Sequence, residues 1–367
     1  MDNVTATQPE NPPAPPADAD FQGRQIDLFR AFLCNGAAER GRLSNTFDLW
    51  DSVPRYAVSR QQMTKIRKEK GFLGLRQVTF QYRGRTLEAR IQAARIFDDK
   101  TRIETDYYPS ANEELVEDAL RKIAAEQRNA FFDRKNHRSG VVFTLHMLRE
   151  ELKRQGHARS YQQIVLSLNI LSGSIIELRA ADGDSPKFFA RSAYFSGMAA
   201  VSRNKLDEDP QAKWIVQFHP LVTEAIDAVT YRQFNYAQMM SHRTQLARWL
   251  HKQLSLKFTF ASLATSFEMR YSTIRRDSAL LDGYGQLRQA VAAVDAAFEE
   301  LKAGGVLMLV KKNDIRRARG KLEDVAYTLT ASIDFVGQMK AANKRHTLAV
   351  EASLAPVDKS EPTSKKR

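Results

Sequence analysis

The 367-residue sequence contains a single cysteine, Cys34, so the chain cannot form an internal disulfide or a metal site built from several cysteines. No stretch is long and apolar enough to span a bilayer. The N-terminus also lacks a basic segment followed by an apolar one, the pattern of a signal peptide. We therefore expect neither disulfides nor a membrane partner, and the cytoplasm is the expected location.

The sequence also lacks the motifs that would indicate an enzyme. There is no G-x-x-x-x-G-K-[ST] phosphate loop, so we do not expect ATP hydrolysis. The seven histidines are scattered, whereas a metal-dependent nicking site would need a histidine pair. Tyr107 and Tyr108 resemble the nucleophilic tyrosines of rolling-circle nickases, but without that pair an aromatic pair in a strand or loop is the simpler interpretation. We expect no enzyme, no metal and no cofactor.

Positive charge is what the sequence has in excess. It contains 56 lysines and arginines against 43 aspartates and glutamates, which gives a net charge of +13. This excess favours a polyanionic partner, nucleic acid before a membrane, although a merely soluble basic protein would also show it. Hydrophobic residues form 43% of the chain, as in ordinary globular proteins, and the length suffices for two domains with cores.

The stretch from Val141 to Tyr194 predicts a helix, a turn, a second helix and a hairpin. Thr144 and Ser160 are the expected N-caps, and Gly156 is where the first helix would stop. The helices have apolar stripes at Leu145, Leu148 and Leu152, and at Tyr161, Ile164, Val165, Leu168 and Leu171. This order is typical of a winged helix, whose second helix enters the major groove of DNA. A helix pair and hairpin used only for packing is the alternative.

A similar order recurs towards the C-terminus. Leu246 to Leu254 predicts an amphipathic helix, Leu263 and Phe267 are assigned to a second helix, and a third is expected from Gln286 to Lys302. Two further strands would flank a basic loop, at 306–310 and 324–330. The sequence therefore predicts an α+β fold of tandem winged-helix domains with disordered N- and C-terminal tails.

Composition and pattern divide the chain into six segments. The polar, basic run from Phe47 to Lys70 is interpreted as a solvated face or connector. The segments are a disordered arm at 1–24, an apolar motif with connector at 25–53, the first winged-helix domain at 54–198, a linker at 199–212, the second winged-helix domain at 213–347, and a disordered basic-ended tail at 348–367.

The apolar motif Gln25, Ile26, Asp27, Leu28 and Phe29 follows a Pro-rich arm. A short apolar peptide on a flexible arm is how linear motifs dock into preformed grooves. The other interpretation is a first helical turn that packs on the core.

The candidate DNA contacts lie where a winged helix would present them. Any single arginine or lysine among them could instead be a solvated surface charge. The base-reading candidates are Arg159, Ser160, Gln162 and Gln163 in the first domain, and Arg275, Arg276, Gln286, Arg288 and Gln289 in the second. The candidate phosphate contacts of the second wing are Lys311, Lys312, Arg316, Arg317 and Arg319. Leu166 and Ile170 are also expected to face outward, on a surface shared with a protein contact.

The order of these features resembles the Rep family, the iteron-binding plasmid replication initiators with two winged helices, and is most similar to those of broad-host-range plasmids. The matching segments are VVFTLHMLREELKRQGHARSYQQIVLSLNILSGSIIEL, KWIVQFHPLVTEAI, YRQFNYAQMMSHRTQLARWLHKQL and AVDAAFEELKAGGVLML. The resemblance extends over roughly residues 25–335 and is one of pattern more than of identity. Glu268 to Gly283 is interpreted as extra length before the recognition helix.

The resemblance implies binding to direct repeats (iterons) in double-stranded plasmid origin DNA, opening of adjacent AT-rich DNA, and recruitment of the host replicative helicase and chromosomal initiator. It further implies plasmid copy control and a homodimer in equilibrium with monomer, the dimer repressing its own promoter. QIDLF at 25–29 is similar to the pentapeptide by which replication proteins bind the host sliding clamp. The alternatives are a winged-helix transcription regulator without a replication role, and a structural partner protein that does not bind DNA.

Overall fold

The computed structural model describes residues 42–126, 129–180, 189–201, 209–317 and 320–354. Over these ranges the chain forms ten α-helices, fifteen β-strands and a short 3-10 helix, Trp50–Ser52. The helices are α1 Arg60–Lys70, α2 Ala111–Ala125, α3 Leu145–Arg154, α4 Tyr161–Gly173, α5 Pro220–Asp227, α6 Tyr236–Ser241, α7 Gln245–Lys257, α8 Tyr271–Ser278, α9 Leu287–Ala303 and α10 Ile333–Leu354. The strands are β1 Leu43–Phe47, β2 Arg76–Tyr82, β3 Arg85–Gln92, β4 Ala94–Asp98, β5 Ile103–Tyr107, β6 Ala130–Asp133, β7 Arg138–Thr144, β8 Ile175–Ala180, β9 Phe189–Ala193, β10 Phe195–Val201, β11 Lys213–Phe218, β12 Tyr231–Asn235, β13 Ser266–Arg270, β14 Leu307–Arg316 and β15 Leu322–Ala331.

Residues 42–241 form a first unit around the central helix α2. Thirteen consecutive residues of this helix, Glu113 to Ala125, are buried. Helices α3 and α4 pack against it. The unit also contains two four-stranded antiparallel sheets, with strand orders β10-β11-β7-β6 and β2-β3-β8-β9, and the two-stranded pairs β1-β12 and β4-β5.

Helices α3 and α4 of the first unit begin where the sequence predicts. The hydroxyl of Thr144 accepts a hydrogen bond from the backbone N–H of Met147 at the start of α3. Ser160 and Gln163 form a reciprocal capping box at the start of α4. The apolar stripes are confirmed as well, since Leu148 and Leu168 are fully buried.

Residues 245–331 form a second unit in the order α7, β13, α8, α9, β14 and β15. Its three strands pair in the order β13-β15-β14. Its hydrophobic core is separate from that of the first unit and includes Val294, Phe298 and Leu301, all nearly inaccessible to solvent. Three helices packed on a three-stranded sheet that ends in a hairpin define a winged helix.

The first unit repeats this order as α2, β7, α3, α4, β8 and β9. The α+β tandem winged-helix class predicted from the sequence is therefore confirmed. The sheets differ, however, because β7 pairs with β6 and β11, while β3 extends the β8–β9 hairpin. The turn between β8 and β9 lies outside the described residues.

The boundary between the units differs from the predicted one. Strand β11, expected to open the second domain, pairs with β7 and places Trp214 and Val216 in the first core. The first core extends to Met240 and the second begins at Leu246. Ala199 to Val201, assigned to the linker, belong to β10. This boundary is set by strand pairing between segments that are distant in the chain. Local composition does not reveal such pairing, so the sequence did not predict the boundary.

The assignment of Leu263 and Phe267 to a helix is wrong. Leu263 is 57% exposed, and Phe267 lies in β13 opposite Leu329 of β15. The second helix of the unit is α8, within the stretch interpreted as extra length. In β13 the inward residues recur every second position, and so short a pattern cannot be distinguished from a helical one.

Two segments expected to be solvated are packed. Helix α10 continues through Leu354, and Ala349, assigned to the disordered tail, is 7% exposed against the first core. Within the run interpreted as a connector, Trp50 is 1% exposed and Met63 is fully buried. Polar and charged residues surround these buried side chains in the sequence, so no apolar pattern indicated that the segments are packed.

Buried charges join the two units. The ammonium of Lys252 on α7 lies 3.1 Å from a Glu114 oxygen and 2.6 Å from an Asp118 oxygen, both on α2. Burial raises the pKa of Asp118 to about 6 although Lys252 opposes this shift. The amide of Gln253 donates to the carbonyl of Asp51 at 2.9 Å. These contacts fix α7 of the second unit on α2 of the first.

Candidate nucleic-acid interface

Helix α9 is the third helix of the second unit, and one side of it faces solvent. Gln286 is its N-cap, and Arg288 and Gln289 in its first turn are exposed. The exposed side continues through Ala292 and Ala296, whose small side chains leave the helix surface shallow. The structure therefore brings three predicted base-reading residues together at one end of a smooth helix face.

Strand β14 carries the predicted wing cations. Lys311, Lys312 and Arg316 are exposed on this strand, and Arg317 is exposed just beyond it. The sequence places these residues in a loop, but the strand continues through Arg316 because β15 pairs with it along its length. Arg319 lies outside the described residues.

Acidic neighbours orient three of the wing cations. Lys312 lies 2.7 Å from Asp295, Arg316 lies 2.7 Å from Asp314, and Arg317 lies 2.8 Å from Glu323. These pairs are largely exposed, so they contribute little stability and can exchange for phosphates. Lys311 has no ion-pair partner among the residues that the structure describes.

Asp295 on α9 connects the helix to the wing. One carboxylate oxygen pairs with Lys312, and the other accepts a hydrogen bond from the hydroxyl of Tyr327 on β15 at 2.8 Å. Burial and this hydrogen bond raise the pKa of Tyr327 far above its ordinary value. Sequence reasoning missed both residues, because their contact depends on how the hairpin packs on the helix.

Arg275 and Arg276 lie on α8, the helix before α9. The guanidinium of Arg276 donates to both carboxylate oxygens of Asp277, at 2.7 and 3.0 Å. Asp277 also accepts from the backbone N–H of Gln81 in the first unit at 3.1 Å. Arg275 lies 3.7 Å from Asp282. The two arginines are therefore separated from the first turn of α9 by the α8–α9 connection.

Helix α4 of the first unit presents only its first turn. Arg159 donates to Asn112 and to the carbonyl of Ala158, both at 2.9 Å. Ser160 and Gln163 are exposed, but each side chain is engaged in the capping box. The exposed Gln162 has no hydrogen-bond partner among the described residues. Of the four predicted base readers, Gln162 alone is unengaged within the described structure.

Beyond its first turn, α4 has no exposed side chain, contrary to the prediction that Leu166 and Ile170 face outward. Ile170 is fully buried, Leu166 is half-buried, and β4 packs against the helix. A Cβ atom at Gly173 would lie 3.1 Å from the Cβ of Ala94 in β4. Positions 166, 170 and 173 share one side of a helix. The β4–β5 hairpin therefore covers the side of α4 that points away from the main core.

No group of three or more potential metal-ligating side chains occurs in the described part of the chain. His242 and His251 are adjacent, but their ring nitrogens hydrogen-bond to each other at 3.0 Å. Burial lowers the pKa of His242 to about 4. None of the described helices combines the length and apolar character needed to cross a bilayer. The predicted motif at 25–29 lies outside the described residues.

No known family model and no curated protein matches this chain. Among solved structures, domains 2 and 3 of RctB match with a TM-score of 0.45 and 12% identity, covering 72% of this chain and 93% of that chain. A second structure of RctB domains 2–3 has a TM-score of 0.43 and 11% identity, covering 74% and 95%. The Pi initiator protein in complex with iteron DNA has a TM-score of 0.40 and 11% identity, covering 61% and 95%.

Proposed function

We propose that this chain is a plasmid replication initiator that binds repeated sites in double-stranded origin DNA. The observation that carries the proposal is the exposed side of α9 joined to a basic wing. Arg288 and Gln289 stand at the start of that side, and Asp295 holds the wing beside it. Together they form one surface with groups for bases and groups for phosphates.

The chemistry of α9 suits the major groove. Arginine can donate two hydrogen bonds to guanine O6 and N7, and glutamine can pair with adenine N6 and N7. Ala292 and Ala296 allow the helix to approach the base edges without a bulky side chain between them. Arg288 and Gln289 are therefore the residues we assign to base recognition.

The wing supplies contacts that do not depend on sequence. Lys311, Lys312, Arg316 and Arg317 are exposed, as phosphate contacts must be. We assign Arg275 and Arg276 on α8 to the backbone rather than to bases, because the first helix of a helix-turn-helix crosses the backbone. The chain's net charge of +13 adds a long-range attraction to DNA.

The replication role rests on the sequence resemblance. It includes opening of AT-rich DNA, recruitment of the replicative helicase and chromosomal initiator, copy control, and autorepression by a homodimer in equilibrium with monomer. Gln25 to Phe29 are proposed to bind the host sliding clamp. A location in the cytoplasm and the absence of enzymatic activity are part of the same proposal.

A footprinting experiment tests the proposal. The purified chain is incubated with duplex DNA that contains direct repeats flanking its gene, and with random-sequence duplex as a control. We expect regularly spaced protection over the repeats, followed by permanganate-reactive thymines in neighbouring AT-rich DNA. Protection without opening would instead support a transcription regulator, and equal binding to both duplexes would contradict the proposal.

A further inference from the structure

Helix α1 carries positive charge that the proposed reading helix and wing do not use. Five of its eleven residues are lysine or arginine, and only Glu69 is acidic. Met63 is its one buried residue, and Ile66 also packs against the core. A narrow apolar stripe therefore fixes the helix, while most of its surface faces solvent.

Two of the five cations hold α1 in place. Arg60 lies 2.7 Å from a Glu113 oxygen, and its guanidinium lies 4.7 Å from the ring centroid of Tyr107. Arg67 donates to the carbonyl of Asp106 at 2.5 Å and lies 5.1 Å from the same ring. Both arginines are thus used within the fold, on the side of α1 that meets β5.

The remaining three cations are directed to solvent. Lys65 has only a long contact with Glu69, 3.9 Å, in which the two side chains are 79% and 55% exposed. Lys68 and Lys70 are exposed and have no ion-pair partner among the described residues. An exposed pair of this kind contributes little stability, and the single charge of Glu69 offsets only part of the positive charge of the lysines.

The start of α1 lies beside the approach to α9. A Cβ atom at Gly283 would be 2.6 Å from Gln62 Nε2, so the two residues are in direct contact. Arg76 of β2 lies 3.8 Å from the neighbouring Asp282. Gly283 precedes the N-cap of α9, Gln286, by three positions. Lys65 follows Gln62 by three residues, which places it on the same side of α1, about 4.5 Å further along the axis.

The same helix is also linked, through α2, to the third helix of the first unit. Glu113, the partner of Arg60, accepts a second hydrogen bond from the hydroxyl of Ser167 on α4 at 2.7 Å. The first turn of α1 is thus linked to the connection before α9 through Gln62, and to α4 through Glu113 of α2.

We propose that Lys65 and Lys68, which are three residues apart on one face of α1, bind the phosphate backbone of the same duplex whose bases α9 reads. The inference rests on the proposed function and adds a third contact to it, beside helix and wing. Flexible ammonium groups act as point charges towards phosphate and do not discriminate bases. This face therefore contributes affinity and salt dependence without sequence preference.

The test compares Lys65→Gln/Lys68→Gln with the native protein on a random-sequence duplex. Loss of two phosphate contacts reduces the slope of log affinity against log salt concentration by about two. The matched control is Lys340→Gln/Lys344→Gln, which removes the same charge from exposed positions of α10, a helix that packs on β12. An unchanged slope in the α1 variant, or an equal fall in both variants, overturns the inference.

A second variant tests whether damage to the fold, and not the loss of phosphate contacts, explains weaker DNA binding by the lysine variant. Glu69→Gln removes the only acid of the face and should raise DNA affinity, which a merely destabilised protein would not do. No rise contradicts the inference. The inference is also contradicted if Lys65→Gln/Lys68→Gln weakens binding to vesicles of anionic lipid but leaves binding to DNA unchanged. If the native protein binds no duplex at all, the result contradicts the proposed function itself and not only this inference.

Discussion

The third helices of the two units occupy equivalent places in the order of elements but present different surfaces. In the first unit, α2 and α3 cover one side of α4 and the β4–β5 hairpin covers the other. In the second unit, α9 keeps a free side from Arg288 to Ala296. The difference shows that an added hairpin can cover the third helix of a winged helix without changing the order of the motif's elements.

Charged residues follow the same division. The first unit encloses Asp51, Arg55, Glu117 and Arg121, all no more than 5% exposed, in one network. Burial opposes ionisation of Glu117, but the charges of Arg121 and Arg55 outweigh it and lower the pKa of this group to about 2. The second unit also buries Lys252, but the cations of its wing are exposed. We therefore expect mutations in the buried network to affect stability, and those on the wing to affect binding.

The largest effect is expected for Glu117→Gln. The carboxylate accepts hydrogen bonds from Trp50 at 2.6 Å and Arg55 at 3.0 Å, and its loss leaves the two buried arginines to share the single carboxylate of Asp51. Removing one member of a buried ion pair costs about 3–5 kcal/mol. Denaturant unfolding of the variant measures the loss. The matched control is Glu323→Gln on the wing, which should change stability by no more than about 0.5 kcal/mol.

The pH dependence of unfolding checks the same assignment. Because the pKa of Glu117 is lowered to about 2 from an ordinary 4.5, the group stabilises the folded state above pH 4.5. This contribution is lost as the pH falls from 4.5 towards 2, and Glu117→Gln should show a shallower decline over that interval. Parallel curves for the native and variant proteins would contradict the assignment.

Ile170→Ala should have the next largest effect. Ile170 is fully buried on the side of α4 that the β4–β5 hairpin covers, and truncation there leaves a cavity. We expect the free energy of unfolding to fall by about 2–5 kcal/mol. Ala292→Ser on the free side of α9 is the control and should cost less than about 0.7 kcal/mol. A negligible cost at Ile170 would mean that the hairpin does not seal this side.

The sequence predicts local features of the fold better than distant ones. Thr144 and Ser160 identify helix starts, because a cap depends on residues within one turn. Burial of Ile170, by contrast, depends on the β4–β5 hairpin, which lies far earlier in the chain. Likewise, the α9 candidates Arg288 and Gln289 follow from the helical period, whereas the link through Asp295 requires knowledge of hairpin packing.

Removing cations from the wing should have a smaller, purely electrostatic effect, which falls on DNA affinity. Arg316→Gln/Arg317→Gln removes two exposed cations and should lower affinity on every sequence, reducing the salt slope by about two. Salt titrations on repeat-containing and random duplexes measure it. Since both arginines lie on the surface, thermal unfolding should be nearly unchanged. A loss confined to one sequence would show that these residues read bases.

The most direct test of the account is the base preference of Arg288→Ala compared with that of Gln162→Ala. Binding sites are selected from a random duplex library with each variant and with the native protein. If α9 reads the sequence, Arg288→Ala loses preference at one base position, with a cost of about 1–3 kcal/mol there. Gln162→Ala, at the only turn that α4 presents, should change the preference less. Unaltered selection by Arg288→Ala, or a larger change with Gln162→Ala, would contradict the assignment of sequence reading to the second unit.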